Sequence, residues 1–146
     1  ANALTPQQIE GRQGEISHTE DEWKEILGSD AYKVMRKAGT ELPFSSPLTN
    51  EKRDGVFVCA GCKEPLFLSA TKYSAGTGWP SFYDALPGAV DLTIDSSIPF
   101  MAPRTEVRCR KCQGHLGHSF TDGPEPTGIR YCMNGRTLNF VPTNIS

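Results

Sequence analysis

Two Cys-x-x-Cys pairs set far apart constrain the fold of this chain more than any other feature. Cys59-Ala60-Gly61-Cys62 and Cys109-Arg110-Lys111-Cys112 are separated by the 46 residues from Lys63 to Arg108. Two ligands three positions apart can converge on one ion, and two such pairs supply the four thiolates of a tetrahedral site. The separation is longer than in a compact zinc ribbon, so a shared ion would clip two distant hairpins together. Such a four-cysteine site is closed and structural, with Zn–S bonds of about 2.3 Å and no open coordination position. Lys63, Arg108, Arg110 and Lys111 can partly offset the negative charge of four thiolates around Zn2+. Two disulfides or a redox-active dithiol are competing uses of the same residues. Structural zinc, one Zn2+ per chain, is preferred because two separate redox dithiols in one small domain would be unusual.

That assignment leaves Cys132 over. It stands in Arg130-Tyr131-Cys132-Met133-Asn134, and in an extended strand Arg130, Cys132 and Asn134 share one face. A nearby guanidinium or imidazolium lowers a thiol pKa from about 8.5 toward neutrality, which makes the thiolate available as a nucleophile. The alternative for a single cysteine is a small buried hydrophobe. Upstream lies Gly114-His115-Leu116-Gly117-His118. A three-residue step alternates faces in a strand, so both histidines reach one pocket only if the glycines bend the backbone. They could equally form a hydrogen-bonded pair or belong to a metal site. In Gly76-Thr77-Gly78-Trp79-Pro80-Ser81-Phe82, the indole is either a core aromatic or one wall of a pocket for a small apolar group.

The 146 residues suffice for one domain with a modest core. Residues 1–18 are expected to form an extended arm, and 19–146 a single domain. Thr19 and Glu22 form a capping-box pattern that opens a short helix, followed after Gly28 by a second ending near Ala38 and Gly39. From Gly55 the period becomes that of strands, at 56–58, 66–68, 90–94, 105–108, 118–120, 129–131 and 138–141. The fold class expected is mainly β: antiparallel sheets in a barrel-like or sandwich domain, with short N-terminal helices and a four-cysteine zinc site. A net charge of −2 carries no nucleic-acid footprint. No run approaches the roughly 18 apolar residues of a membrane span. The odd cysteine count with paired hooks suits a reducing compartment, which makes the cytoplasm the expected location. The chain begins with Ala, so an organelle reached after removal of a targeting peptide is the alternative.

The motifs together resemble the methionine sulfoxide reductase type B family across roughly residues 21–142. They are Asp21-Glu22-Trp23, the Cys59 pair, Gly78-Trp79-Pro80-Ser81-Phe82, the Cys109 pair, Gly114-His115-Leu116-Gly117-His118, Asp122-Gly123-Pro124, and Arg130-Tyr131-Cys132 with Asn134. The resemblance implies thiol-dependent repair of oxidised proteins, by reduction of protein-bound and free methionine-R-sulfoxide. Each sulfoxide epimer has its own enzyme. It further implies zinc on the four paired cysteines and Cys132 as nucleophile, passing through a sulfenic acid. His115 and His118 are its candidate proton donors. Trp79, Phe120, Asp122, Arg130 and Asn134 would line the substrate pocket. In that scheme Asp122 orients a histidine, Asn134 holds substrate or thiol, and Trp79 and Phe120 hold the S-methyl group.

This chain departs from the family pattern twice. Many members carry a resolving cysteine where Thr77 stands, and serine usually follows Asn134, where this chain has Gly135-Arg136. Without a resolving thiol, the sulfenic acid is expected to be reduced by an external thiol such as thioredoxin, glutaredoxin or glutathione. No nucleic-acid or membrane partner is expected, and a monomer is the default. The alternatives are a non-catalytic zinc-binding interaction module, in which Cys132 beside two histidines has no use, and a thiol peroxidase, for which the tryptophan loop has none.

Overall fold

The computed structural model describes residues 16–37, 39–95 and 104–143. The arm expected over 1–18 therefore lies outside the described residues, apart from 16–18. There the Ile16 N–H donates to the Lys111 carbonyl beside the second cysteine pair, at 2.9 Å.

Thr19 and Glu22 form the expected reciprocal cap. The Glu22 N–H donates to Thr19 Oγ1 at 3.2 Å and the Thr19 N–H to Glu22 Oε1 at 2.8 Å. Helix α1 (Glu20–Lys37) follows, and Gly28, at φ 81° and ψ 168°, breaks it into two helical pieces. Its buried side chains are Trp23, Tyr32, Val34 and Met35. Trp23 packs against the first cysteine pair so closely that a Cβ on Gly61 would lie 2.9 Å from the indole. Arg36 stacks over the same ring at 4.6 Å and donates to the Cys112 carbonyl at 2.9 Å. One helix thus covers both pairs.

Among the described residues nine strands follow: β1 (Gly55–Cys59), β2 (Pro65–Leu68), β3 (Lys72–Tyr73), β4 (Ser81–Phe82), β5 (Val90–Asp95), β6 (Arg104–Cys109), β7 (His115–Phe120), β8 (Arg130–Met133) and β9 (Leu138–Pro142). All pair antiparallel, in a three-stranded sheet β2-β1-β9 and a six-stranded sheet β3-β4-β8-β7-β6-β5. Aromatic rings join the sheets. Phe67 of β2 stacks on Phe82 of β4 at 4.3 Å, Phe57 of β1 meets Phe82 edge-on at 5.0 Å, and Phe67 meets Tyr131 of β8 at 5.7 Å. Phe57, Phe67 and Phe82 are wholly buried, as are Leu66, Val107, Leu116 and Met133. The mainly β, antiparallel class read from the sequence is what forms. No helix among the described residues is long and apolar enough to cross a membrane.

Candidate functional site

Each cysteine pair closes one hairpin, and the two turns have the same construction. After Cys59 the Lys63 N–H donates to the Cys59 carbonyl at 2.9 Å, and after Cys109 the Gln113 N–H donates to the Cys109 carbonyl at 2.7 Å. Lys63 and Gln113 both take left-handed φ, 67° and 62°, which turns the chain sharply behind each second cysteine. The two turns face each other. Cys59 Sγ lies 3.7 Å from Cys112 Sγ and Cys62 Sγ 3.5 Å from Cys109 Sγ, with all four sulfurs within 4.8 Å of one another. A regular tetrahedron with 2.3 Å bonds has sulfurs about 3.8 Å apart. This donor set can hold a metal ion. Of the basic residues beside the pairs, Arg108 pairs with Glu106 at 3.1 Å, Arg110 with Asp91, and Lys111 with Glu64 at 4.0 Å, while Lys111 also favours the Cys62 thiolate.

Cys132 lies in β8, within the six-stranded sheet whose β6 ends at Cys109. Its cross-strand neighbours form a continuous rung: Glu106 of β6 opposite His118 of β7, His118 opposite Cys132, Cys132 opposite Ser81 of β4, and Ser81 opposite Tyr73 of β3. Directly opposed residues project from one face of a sheet. Phe120 and Arg130 form the next rung on that face. Cys132, His118, Phe120, Trp79, Asn134, Arg104, Thr40 and Gly117 line a cavity of about 120 Å³.

The histidine question is settled by a bulge. In the β6–β7 ladder Val107 opposes Gly117 and Arg108 opposes His115, so β7 carries one extra residue, Leu116. The insertion returns His115 to the face of His118, and their rings meet edge-on at 5.3 Å. His115 is buried behind the cavity. Its Nδ1 lies 2.7 Å from Glu106 Oε2, and its Nε2 has no hydrogen-bond partner among the described residues. Burial pushes the His115 pKa down, and the Glu106 carboxylate opposes that shift.

Two expected roles differ in the structure. Asp122 does not orient a histidine. It takes Arg130 in a two-point ion pair, Nε to Oδ1 at 2.9 Å and Nη2 to Oδ2 at 3.3 Å, while Arg130 also stacks over Phe120 at 4.3 Å. The carboxylate on His115 is Glu106, whose signal was only its alternation with Val107 in a strand. Asn134 lines the cavity, but its amide is committed to the backbone. Oδ1 accepts from the Glu41 N–H at 3.0 Å and Nδ2 donates to the Leu116 carbonyl at 3.0 Å. Trp79 is half-buried in the cavity wall, held by its Nε1–H donating to the Glu41 carbonyl at 3.1 Å. The glycine after Asn134 has a steric cause: a Cβ at Gly135 would collide with Ser46.

Burial pushes the Cys132 thiol up, opposed by the Arg130 guanidinium and by a hydrogen bond from Thr77. Thr77, at the position where the family pattern often has a second cysteine, thus favours the anion of the lone thiol. Four of the five cysteines are gathered in the other cluster.

The chain matches the family model described as SelR domain over residues 27–142. It is 48% identical over 128 residues to the peptide methionine sulfoxide reductase MsrB of Agrobacterium fabrum, covering 87% of this chain and 93% of that protein. It is 49% identical over 127 residues to the MsrB of Pseudomonas savastanoi pv. phaseolicola, covering 87% and 96%. To the chloroplastic peptide methionine sulfoxide reductase B1 of Oryza sativa it is 47% identical over 127 residues, covering 87% and 59%. A pocket lined by a lone cysteine, a separate cluster of four sulfurs and these likenesses over most of its length converge on one assignment: the chain belongs to the SelR-domain family of peptide methionine sulfoxide reductases MsrB.

Proposed function

We propose that this chain reduces methionine-R-sulfoxide, free and in oxidised proteins, at Cys132, with one structural Zn2+ on Cys59, Cys62, Cys109 and Cys112. The observation that carries the reading is Cys132 directly opposite His118 in a small cavity edged by Trp79 and Phe120. The sulfoxide methyl group rests against the two aromatic faces, a contact worth about 0.3–1.5 kcal/mol if it resembles that of a thioether. Its oxygen points toward His118, which lines the cavity and donates the proton that makes the sulfur electrophilic. His115, tethered by Glu106, packs behind His118 and positions it.

The net step transfers oxygen. The substrate S–O bond breaks, a bond forms between that oxygen and Cys132 Sγ, and the thiol proton ends on the sulfenic oxygen. The sulfoxide is reduced by two electrons and the cysteine oxidised by two. Because Thr77 is not a cysteine and the other four cysteines are gathered in one cluster, recycling uses two external thiols, which leave as a disulfide with one water. Thioredoxin, glutaredoxin and glutathione are the candidate classes of reductant. Zinc bound to the four cysteines supplies cohesion between the β1–β2 and β6–β7 hairpins, not chemistry.

The test is turnover of each epimer of N-acetyl-methionine sulfoxide with dithiothreitol, using zinc-loaded wild type and Cys132→Ser. The R epimer should be consumed by wild type alone. Inertness of the wild type toward both epimers, or undiminished activity of Cys132→Ser, contradicts the assignment.

A further inference from the structure

Leu42 and Phe44 are 76% and 72% exposed, on a turn that the catalytic scheme does not use. The turn is rigid. Phe44 holds φ 61°, costly for an aromatic residue, and its N–H donates to the Gly78 carbonyl at 2.6 Å. The Leu42 carbonyl accepts from the Ser45 hydroxyl at 2.6 Å and the Ser45 N–H at 3.2 Å. Gly78 makes room for the ring, since a Cβ there would come within 2.9 Å of it. The same stretch is anchored to the pocket through Thr40 in its wall and through Glu41, whose backbone binds Asn134 and Trp79. The apolar tip and the cavity rim are therefore one continuous piece. Exposing two large apolar side chains around a strained residue is destabilising, which calls for a use.

We propose that Leu42 and Phe44 dock the apolar residues flanking an oxidised methionine in an unfolded polypeptide. The inference rests on the reductase reading above. A cavity of about 120 Å³ admits a single side chain, so the substrate backbone and its neighbours lie at the rim, where this surface begins. Methionines in apolar cores lose their packing when oxidised, so a repair substrate presents its sulfoxide among exposed apolar residues.

The experiment compares kcat/KM, with dithiothreitol, for N-acetyl-methionine-R-sulfoxide and two peptides carrying the same sulfoxide between leucine and phenylalanine or between glycines. The enzymes are wild type and Leu42→Thr/Phe44→Asn, since asparagine tolerates left-handed φ. Wild type should prefer the apolar peptide about tenfold, as expected for one buried apolar contact. The double variant should lose that preference while keeping its rate on the blocked amino acid within about twofold. Equal rates on the two peptides, with the blocked amino acid still consumed, overturn docking alone. Failure on the blocked amino acid overturns the reductase reading and this proposal with it. A variant that keeps the preference but loses only thioredoxin-supported turnover, or that converts a dimer to a monomer, also overturns it, because the surface then serves the reductant or a second copy. Loss of all activity with an unchanged thermal midpoint overturns it as well, since the turn would belong to the catalytic pocket.

Discussion

At Cys132 two opposing influences meet. Burial holds the thiol above its ordinary range, and Arg130 and Thr77 pull it down. Only the thiolate attacks, so at a pH below the thiol pKa the rate follows the thiolate fraction. Removing the guanidinium takes away a cation that favours the anion, which moves the titration upward. Arg130→Met should therefore shift the midpoint of Cys132 alkylation by iodoacetamide to higher pH and slow it about three- to tenfold near neutrality. An unchanged profile would show that the guanidinium exerts no field at the sulfur. Cys132, Trp79, His118 and Arg130 were legible because each sits in a compact motif, whereas Phe120 came only with the family resemblance. Glu106 was not, because its partner His115 lies across a strand pair. The placement of Asp122 on Arg130 depends likewise on the β7–β8 register, which a linear pattern does not disclose.

Strand β7 decides whether the pocket exists. Its bulge at Leu116 brings His115 and His118 together, and Gly117 lets β7 approach β8. A Cβ at Gly117 would collide with the Cys132 carbonyl and lie 2.9 Å from Met133 Cα. Both obstacles are backbone, so the strands must separate. Gly117→Ala should destabilise the fold by about 1–3 kcal/mol and lower kcat, read from the denaturant midpoint and from turnover. A variant as stable and active as wild type would show that the ladder yields freely. The glycines of Gly114-His115-Leu116-Gly117-His118 marked the backbone as unusual, and the sequence reading made a shared pocket conditional on a bend there. The bulge itself was hidden, because nothing local specifies which residue of β7 goes unpaired. The two-residue strands β3 and β4 escaped for a simpler reason: they are too short to show alternation. The cap at Thr19 and the break at Gly28 were readable because both are local chemistry.

Across the whole molecule, labour divides between two sulfur sites. The four paired cysteines join the β1–β2 hairpin to the β6–β7 hairpin, and β7 and β8 carry His118 and Cys132 on one rung. The hairpin that offers Cys109 and Cys112 therefore also places His118. Anchoring by a metal there would stiffen the pocket without entering the reaction. The division of labour was visible in the spacing of five cysteines. That the four-cysteine cluster bridges the two sheets was not, since it depends on the packing of Phe57 and Phe67 against Phe82 and Tyr131. The most direct test is a single turnover with excess methionine-R-sulfoxide and no reductant, counting methionine formed, thiols lost and zinc released per chain. The expected result is one methionine, one thiol lost as a sulfenic acid at Cys132, and the zinc retained. Loss of two thiols with a disulfide from Cys132 to Cys59, Cys62, Cys109 or Cys112 and release of the metal would contradict it.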